Sequence, residues 1–423
     1  MLRKLSGMTG AAIAAIAAIA LSAGTAEAAP TVARYEGADR FATSAAIVDA
    51  NYSPGVPVAY VAAGLNFPDA LAGGAAAAND GGPLLLVLPN VIPAPVAAEL
   101  QRLQPGRIVV LGGAGAISDA VLTSLQTYTS GAVTRVMGAD RYRTAASLAA
   151  SFPDGSPVYI ATGVNFPDAL AATAAAASQH AAILLTDPVT LPPATAQALT
   201  ALQPSSITIV GSTNAVSAAI ATQLTAYSPT VTRVSGSDRF ATAASIAANA
   251  FPSATSVFIA SGEGFADALT GGPVAGTNGE PLLLSTPGCL PDPTANELAV
   301  LQPTNVTMLG GTATLAAGVA SLSTCPKPPP PVLACTASMS NPSPAQYHTT
   351  IVQVSTSPGA GVATVAHYRT TNTTHSAVAD GSGVSAIPYN ISAATVGFQV
   401  VVNVTVTLGG SQASCATSFT PIA

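Results

Sequence analysis

Tryptophan is absent from this 423-residue sequence, and aromatic residues make up only 5% of it, so its cores cannot be built around large rings. Charge is almost as scarce: Asp, Glu, Lys and Arg together account for 8% of residues. Lysine occurs only at positions 4 and 327, which leaves arginine as the main cation. Thirteen basic against nineteen acidic residues give a net charge of −6. That balance excludes the generally basic surface that nucleic-acid binding requires. Several enzyme signatures are missing: no Gly-x-Ser-x-Gly elbow, P-loop, His-Glu-x-x-His or Asp-x-Asp pair is found. His180, His348, His367 and His375 are scattered. There is no C-x-x-C, which speaks against a zinc or redox motif. The stretch Gly112-Gly113-Ala114-Gly115 fails the dinucleotide fingerprint and reads as a turn. No cofactor and no metal are expected.

The one long apolar run is Ala11 to Leu21, preceded by Arg3 and Lys4 and followed by Ala26-Glu27-Ala28. It is shorter than the about 20 residues a membrane helix needs, and it has the layout of a secretory signal, residues 1–28. Removing it takes away Arg3, Lys4 and Glu27, which leaves eleven basic and eighteen acidic residues and a net charge of −7. No membrane span is expected after cleavage. The four cysteines are even in number, and export makes disulfides plausible. Three pairings are possible; Cys289–Cys325 with Cys335–Cys415 keeps each pair inside one domain.

What the chain does have is internal repetition at about 100 residues. Arg34, Gly37, Asp39 and Arg40 recur as Arg135, Gly138, Asp140 and Arg141, then as Arg233, Gly236, Asp238 and Arg239. A second motif, Gly64-Leu65-Asn66-Phe67-Pro68-Asp69-Ala70-Leu71, returns as Gly163 to Leu170 and as Gly262 to Leu269. An apolar triplet follows: Leu84, Leu85, Leu86; Ile183, Leu184, Leu185; Leu282, Leu283, Leu284. Leu-Gln-Pro at 103–105, 202–204 and 301–303 comes next, then a Gly turn at Gly112, Gly211 and Gly310. A period this long predicts tandem domains, each with its own core. Short apolar runs alternate with stretches of helical spacing, which predicts an α/β fold with a buried, mostly parallel sheet. The expected divisions are 31–131, 132–230 and 231–325. Residues 326–332 form a Pro-rich linker, and 333–423 an all-β, immunoglobulin-like sandwich in which Cys335 and Cys415 tie the first and last strands.

Twelve of the 29 charged residues left after cleavage are the Arg, Asp and Arg of the first motif and the Asp of the second, in three copies. The plain structural explanation makes Asp39, Asp140 and Asp238 helix N-caps, and places Asp69, Asp168 and Asp267 in the first turn of a helix. The arginines would then pair with them. The functional explanation uses the same geometry: helix N-termini favour anions, and the arginine fork fits phosphate or carboxylate. On that view Arg34, Arg40, Arg135, Arg141, Arg233 and Arg239 are candidate contacts, and three weak sites would hold a repetitive acidic polymer by multivalency. Phe67, Phe166 and Phe265 are expected in the core rather than as sugar-stacking platforms.

This ordered set of motifs resembles the cell wall-binding repeat type 2 family over roughly residues 31–325. The resemblance implies Toprim-like α/β modules in a pseudo-threefold arrangement, anchoring through an anionic, teichoic-acid-like polymer on a Gram-positive surface. It also ties the triplets Leu84–Leu86, Ile183–Leu185 and Leu282–Leu284 to anchoring. The third repeat departs from the pattern, with Gly264 for Asn and Ala266 for Pro, and only the second triplet begins with Ile. The expected function is a secreted, non-catalytic protein held non-covalently to the wall, with an unknown partner for the C-terminal domain. A wall-remodelling hydrolase and a freely secreted structural or adhesive protein are the alternatives.

Overall fold

The structure, a computed structural model, describes residues 29–327 and 333–423. The expected signal peptide and residues 328–332 of the expected linker lie outside the described residues. Two compact units divide the chain, one ending at Cys325 and the other beginning at Pro326.

Each repeat of the first unit runs strand–helix four times. Repeat 1 contains β1 (Thr31–Tyr35), α1 (Arg40–Asn51), β2 (Ala59–Ala63), α2 (Pro68–Asn79), β3 (Leu84–Val87), α3 (Ala94–Leu103), β4 (Ile108–Leu111) and α4 (Asp119–Leu125). Repeat 2 contains β5 (Val133–Val136), α5 (Arg141–Ala149), β6 (Val158–Thr162), α6 (Pro167–Ser178), β7 (Ala182–Thr186), α7 (Pro193–Leu202), β8 (Ile207–Val210) and α8 (Ala218–Leu224). Repeat 3 contains β9 (Val231–Val234), α9 (Arg239–Ala250), β10 (Ser256–Ser261), α10 (Ala266–Thr277), β11 (Leu282–Ser285), α11 (Asp292–Leu301), β12 (Asn305–Leu309) and α12 (Ala317–Ala320).

The strands form three four-stranded sheets, ordered β3-β2-β4-β5, β7-β6-β8-β9 and β11-β10-β12-β1, and every pairing in them is parallel. The fourth strand of each sheet therefore belongs to another repeat. Repeat 2 supplies β5 to repeat 1, and repeat 3 supplies β9 to repeat 2. Repeat 1 supplies β1 to repeat 3, pairing Thr31 with Asn305 and Tyr35 with Leu309. A single buried apolar cluster runs through all three repeats, with a smaller one in the third. This corrects the expectation of one core per repeat. Buried strands of this kind need apolar residues on both faces, and β2, β3, β6 and β7 are buried along their whole length.

Helices α2, α6 and α10 lie at the centre and pack on one another. After the first turn α2 and α6 are almost all Ala and Gly, α10 mixes Ala and Gly with Thr, Pro and Val, and all three are buried nearly all round, as a helix enclosed by protein must be. Close approach explains the glycines. A Cβ at Gly73 would collide with Leu111, and one at Gly271 with Leu309. In repeat 2 the matching pair is Ala172 and Val210: the helix residue has grown and the strand residue has shrunk. The Leu-Gln-Pro landmark also has a local cause. Gln104, Gln203 and Gln302 cap α3, α7 and α11 in the left-handed conformation, with φ of 45°, 46° and 47°. The proline that follows cannot continue a helix.

The second unit holds β13 (Thr336–Met339), β14 (Thr349–Ser355), β15 (Gly361–His367), β16 (Asn372–Val378), β17 (Val384–Asn390), β18 (Val400–Leu408) and β19 (Ser411–Phe419). They make two antiparallel sheets, β13-β14-β17 and β16-β15-β18-β19. Val352, Val354 and Ile387 of one sheet share a buried cluster with Val362, Val402 and Val404 of the other. A disulfide between Cys335 and Cys415 joins the start of β13 to β19, and a second joins Cys289 to Cys325 in repeat 3.

The exchange of volume between central helix and strand has a measurable consequence. Gly73→Ala should lower stability through overpacking against Leu111, by about 1 kcal/mol. In a double-mutant cycle with Leu111→Val, thermal denaturation should give a favourable coupling of about 1 kcal/mol. Additive effects would show that the two positions do not compensate each other.

Candidate functional site

The first motif lies on the seam between repeats. Asp39 accepts hydrogen bonds from the N–H groups of Phe41 (2.9 Å) and Ala42 (2.8 Å) at the start of α1. Asp140 accepts from Arg143 N–H and Asp238 from Ala241 N–H, each at 2.8 Å. The hydroxyls of Thr43, Thr144 and Thr242 accept from the N–H groups of Gly37, Gly138 and Gly236, folding the motif back on its helix.

The first arginine of the motif is bound to backbone. Arg34 donates to the carbonyls of Gly310 and Leu315, across to repeat 3. Arg135 donates to Gly112 O (2.8 Å) and pairs with Asp119 (3.1 Å). Arg233 donates to Gly211 O (2.7 Å), Ser212 O (3.1 Å) and Val216 O (2.7 Å). Each guanidinium thus satisfies the carbonyls of the Gly turn in the repeat that receives its strand. With that geometry these three arginines are staples of the seam. The triplets Leu84–Leu86, Ile183–Leu185 and Leu282–Leu284 are interior strand, with exposures of 0–2%. Their side chains are closed to direct contact with a polymer, so any part they play in anchoring passes through the fold.

The second arginine faces outward. Arg40 is exposed, and Arg141 and Arg239 are half-buried. Arg40 donates to Gly64 O (2.8 Å), Arg141 to Gly163 O, and Arg239 to Gly262 O (2.5 Å). Each bond fixes the second-motif loop of the same repeat. The guanidiniums also reach the neighbouring repeat: Arg40 lies 5.5 Å from the ring centre of Phe265, and Arg141 lies 5.9 Å from that of Phe67. Phe67, Phe166 and Phe265 meet one another with centroids 5.5–5.7 Å apart, so the three second-motif loops converge.

Two clefts result. One, of about 350 Å³, lies between Asn66, Pro68 and Asp69 of repeat 1 and Gly138, Asp140, Arg141 and Thr144 of repeat 2. The other, of about 360 Å³, lies between Asn165, Pro167 and Asp168 of repeat 2 and Gly236, Asp238, Arg239 and Thr242 of repeat 3. The second motif of one repeat therefore meets the first motif of the next. Asp69, Asp168 and Asp267 sit in the first turns of α2, α6 and α10 without serving as side-chain N-caps. Each carboxylate presses against the Gly turn: a Cβ at Gly112, Gly211 or Gly310 would collide with it. Those glycines also hold φ of 91°, 95° and 107°, which other residues rarely adopt.

Burial raises the pKa of Asp69, and the Thr144 hydroxyl and the Arg141 charge pull it back. Asp168 behaves alike beside Thr242 and Arg239. Asp267 has only the Arg40 charge against its burial and is pushed up to about 6. The threonines, the Gly turn and the two asparagines are not among the site residues expected from sequence, although the Gly turn and Asn66 stand in its recurring motifs. The signal for the first two was their recurrence in register. Among the described residues, no group of three His, Cys, Asp or Glu is placed to hold a metal ion.

Fold and clefts together define a three-module α/β repeat protein whose polar clefts lie between modules. The chain belongs to the cell wall binding domain 2 (CWB2) family: the family model matches residues 34–122, 135–221 and 233–320. It is similar to the amidase enhancer of Bacillus subtilis (strain 168), with 32% identity over 89 residues, covering 21% of this chain and 12% of that protein. Cwp6 from Clostridium difficile shares the fold with a TM-score of 0.66 at 24% identity, over 71% of this chain and 49% of that one. Cwp8 from Clostridium difficile gives 0.63 at 23%, over 69% and 51%. The chain thus spans about half the length of these two structures. Family membership makes cell-wall binding the coarse function. No helix among the described residues is long and apolar enough to cross a membrane.

The raised pKa of Asp267 sets a pH dependence. The folded carboxyl titrates near 6 and the unfolded one near 3.9, so the native state binds the extra proton. Stability is then fullest below about pH 4 and declines as pH rises through 6. Asp267→Asn should raise stability at pH 7 by about 1–2 kcal/mol, discounted for partial exposure, and change it little at pH 4. Equal effects in denaturation curves at both pH values would contradict this assignment.

Proposed function

We propose that this is a secreted, non-catalytic surface protein whose three repeats hold it non-covalently to an anionic secondary polymer of a Gram-positive cell wall. The observation that carries the reading is the cleft built twice from the same parts, with Arg141 or Arg239 facing Asp69 or Asp168 across a repeat boundary. Each guanidinium uses one donor on a backbone carbonyl and has others to offer a phosphate or carboxylate. One such contact in water is weak, but several on one chain raise overall retention by 10²–10⁴ through effective concentration alone. The contact set thereby narrows to Arg40, Arg141 and Arg239, with Arg34, Arg135 and Arg233 and the apolar triplets acting as its frame.

On this reading the modules are Toprim-like and related by a pseudo-threefold axis near the three phenylalanines. The β-sandwich is immunoglobulin-like and serves a partner of its own. The family membership and the fold shared with Cwp6 and Cwp8 support the wall as the site of binding.

The test is co-sedimentation of the mature protein with purified cell walls at rising salt. Retention should fall as ionic strength screens the contacts. Arg40→Ala, Arg141→Ala and Arg239→Ala combined should cut it at least 100-fold. A triple variant with a native circular dichroism spectrum and unaltered retention would remove these arginines from the interface.

A further inference from the structure

The three places where a second motif meets a first motif are not alike. Two have Asn66 or Asn165 at the lip and a proline opening the helix beneath it. The third, between repeats 3 and 1, has Gly264 and Ala266 in those positions. It also carries Glu263, exposed, at the place that Val164 holds in the second cleft and Leu65 holds in the sequence of repeat 1. Resting on the wall-binding reading above, we propose that polymer is seated only in the clefts between repeats 1 and 2 and between repeats 2 and 3. Asn66 and Asn165 are then the contacts that select a hydroxyl-bearing sugar unit, and the third position, with Arg40, is idle, which narrows the arginine contacts further to Arg141 and Arg239.

The chemistry follows from what each lip offers. A side-chain amide both donates and accepts, so it can satisfy a sugar hydroxyl whichever way the hydroxyl points. The neighbouring Asp69 or Asp168 carboxylate accepts from a second hydroxyl, and the arginine meets the unit's acidic group. Clefts of about 350 and 360 Å³ sit at the small end of ligand pockets, which suits one sugar unit at a time. Gly264 has no side chain to offer, and Glu263 adds a negative charge where an acidic chain would have to pass. The Asp267 carboxyl differs from its counterparts as well, since no threonine hydroxyl bonds to it in the way that Thr144 and Thr242 serve Asp69 and Asp168.

The experiment measures retention of the full mature chain on purified cell walls for Asn66→Ala, Asn165→Ala, the double variant, and a chain carrying Glu263→Leu with Gly264→Asn. Asn165 accepts from the Phe166 N–H at 3.0 Å, so Asn165→Asp is added to keep that turn bond while removing the amide donor. A Cβ at Gly264 meets nothing within 4 Å and its φ is not positive, so asparagine is accommodated there. Each single Asn variant should weaken retention about 100-fold, by ending two-point attachment. Asn165→Asp should match Asn165→Ala, and the double variant should fall to background. The rebuilt third position should hold the protein to higher salt than wild type. Wild-type retention in the double variant overturns the proposal, and so does a rebuilt chain that releases at the wild-type salt concentration. A wild-type chain that ignores walls altogether overturns the underlying wall-binding reading instead.

Discussion

Every sheet in the repeat unit is one strand short until another repeat completes it. That dependence governs the rest of the structure. A parallel edge at β4, β8 or β12 would leave a row of unpaired backbone groups, and the incoming β5, β9 or β1 closes it. Arg135, Arg233 and Arg34 arrive on those strands and bind carbonyls of the Gly turn that the closed sheet leaves at its end. Strand pairing and arginine are thus two parts of one joint, repeated three times. Because the joints make a closed cycle, β4, β8 and β12 are all interior strands, the donated strand is the outer one in each sheet, and no repeat has a wholly private core.

The joint also accounts for where the scarce charge lies. A protein with so few ionisable residues has little with which to offset a desolvated carboxylate, yet it half-buries one at each seam. Asp69 and Asp168 are compensated by an arginine and a threonine that both come from the next repeat. The carboxylate therefore senses whether its neighbour is docked. The Gly turn completes the arrangement, since only a residue without a side chain leaves room for the Asp oxygen while holding a φ near 100°. The clefts are what remains open around this compensated group once the seam has closed.

Much of this was legible in the residues. Fully apolar triplets meant buried parallel strands, and the period of about 100 meant modules. Asp before an amphipathic stretch meant an N-cap, as Asp39, Asp140 and Asp238 are. What could not be read was the partner of each element. Hydrophobic pattern says that β5 is a strand, but not that it joins the sheet of repeat 1, because an exchanged strand and a retained one look identical along the chain. The same blindness left Arg34, Arg135 and Arg233 open between a structural role and a ligand. A recurring arginine carries no mark that separates a backbone staple from a binding group, and only the carbonyls that it meets 17 to 281 residues away decide the matter. Phe67, Phe166 and Phe265 were expected in the core; they are half-buried against the main apolar cluster, and they also pack on one another across the repeats.

The third repeat shows what the cycle demands where the chain stops repeating. Repeats 1 and 2 run from α4 and α8 directly into β5 and β9, so chain continuity holds the fourth strand close to its sheet. Repeat 3 receives β1 from the far end of the unit, with 274 residues between Arg34 and Met308, which it faces across the ladder. Its last helix is also cut to four residues, against seven in α4 and α8. The Cys289–Cys325 disulfide falls here, closing a 36-residue separation, and Leu290 bridges to Thr324 beside it. A crosslink over a loop of that size restricts the unfolded chain by about 3–4 kcal/mol. The crosslink thus lies inside the repeat whose fourth strand backbone connectivity does not deliver; it ties that repeat's own end and does not cross to β1. Repeats 1 and 2, whose fourth strands follow soon after in the chain, contain no cysteine.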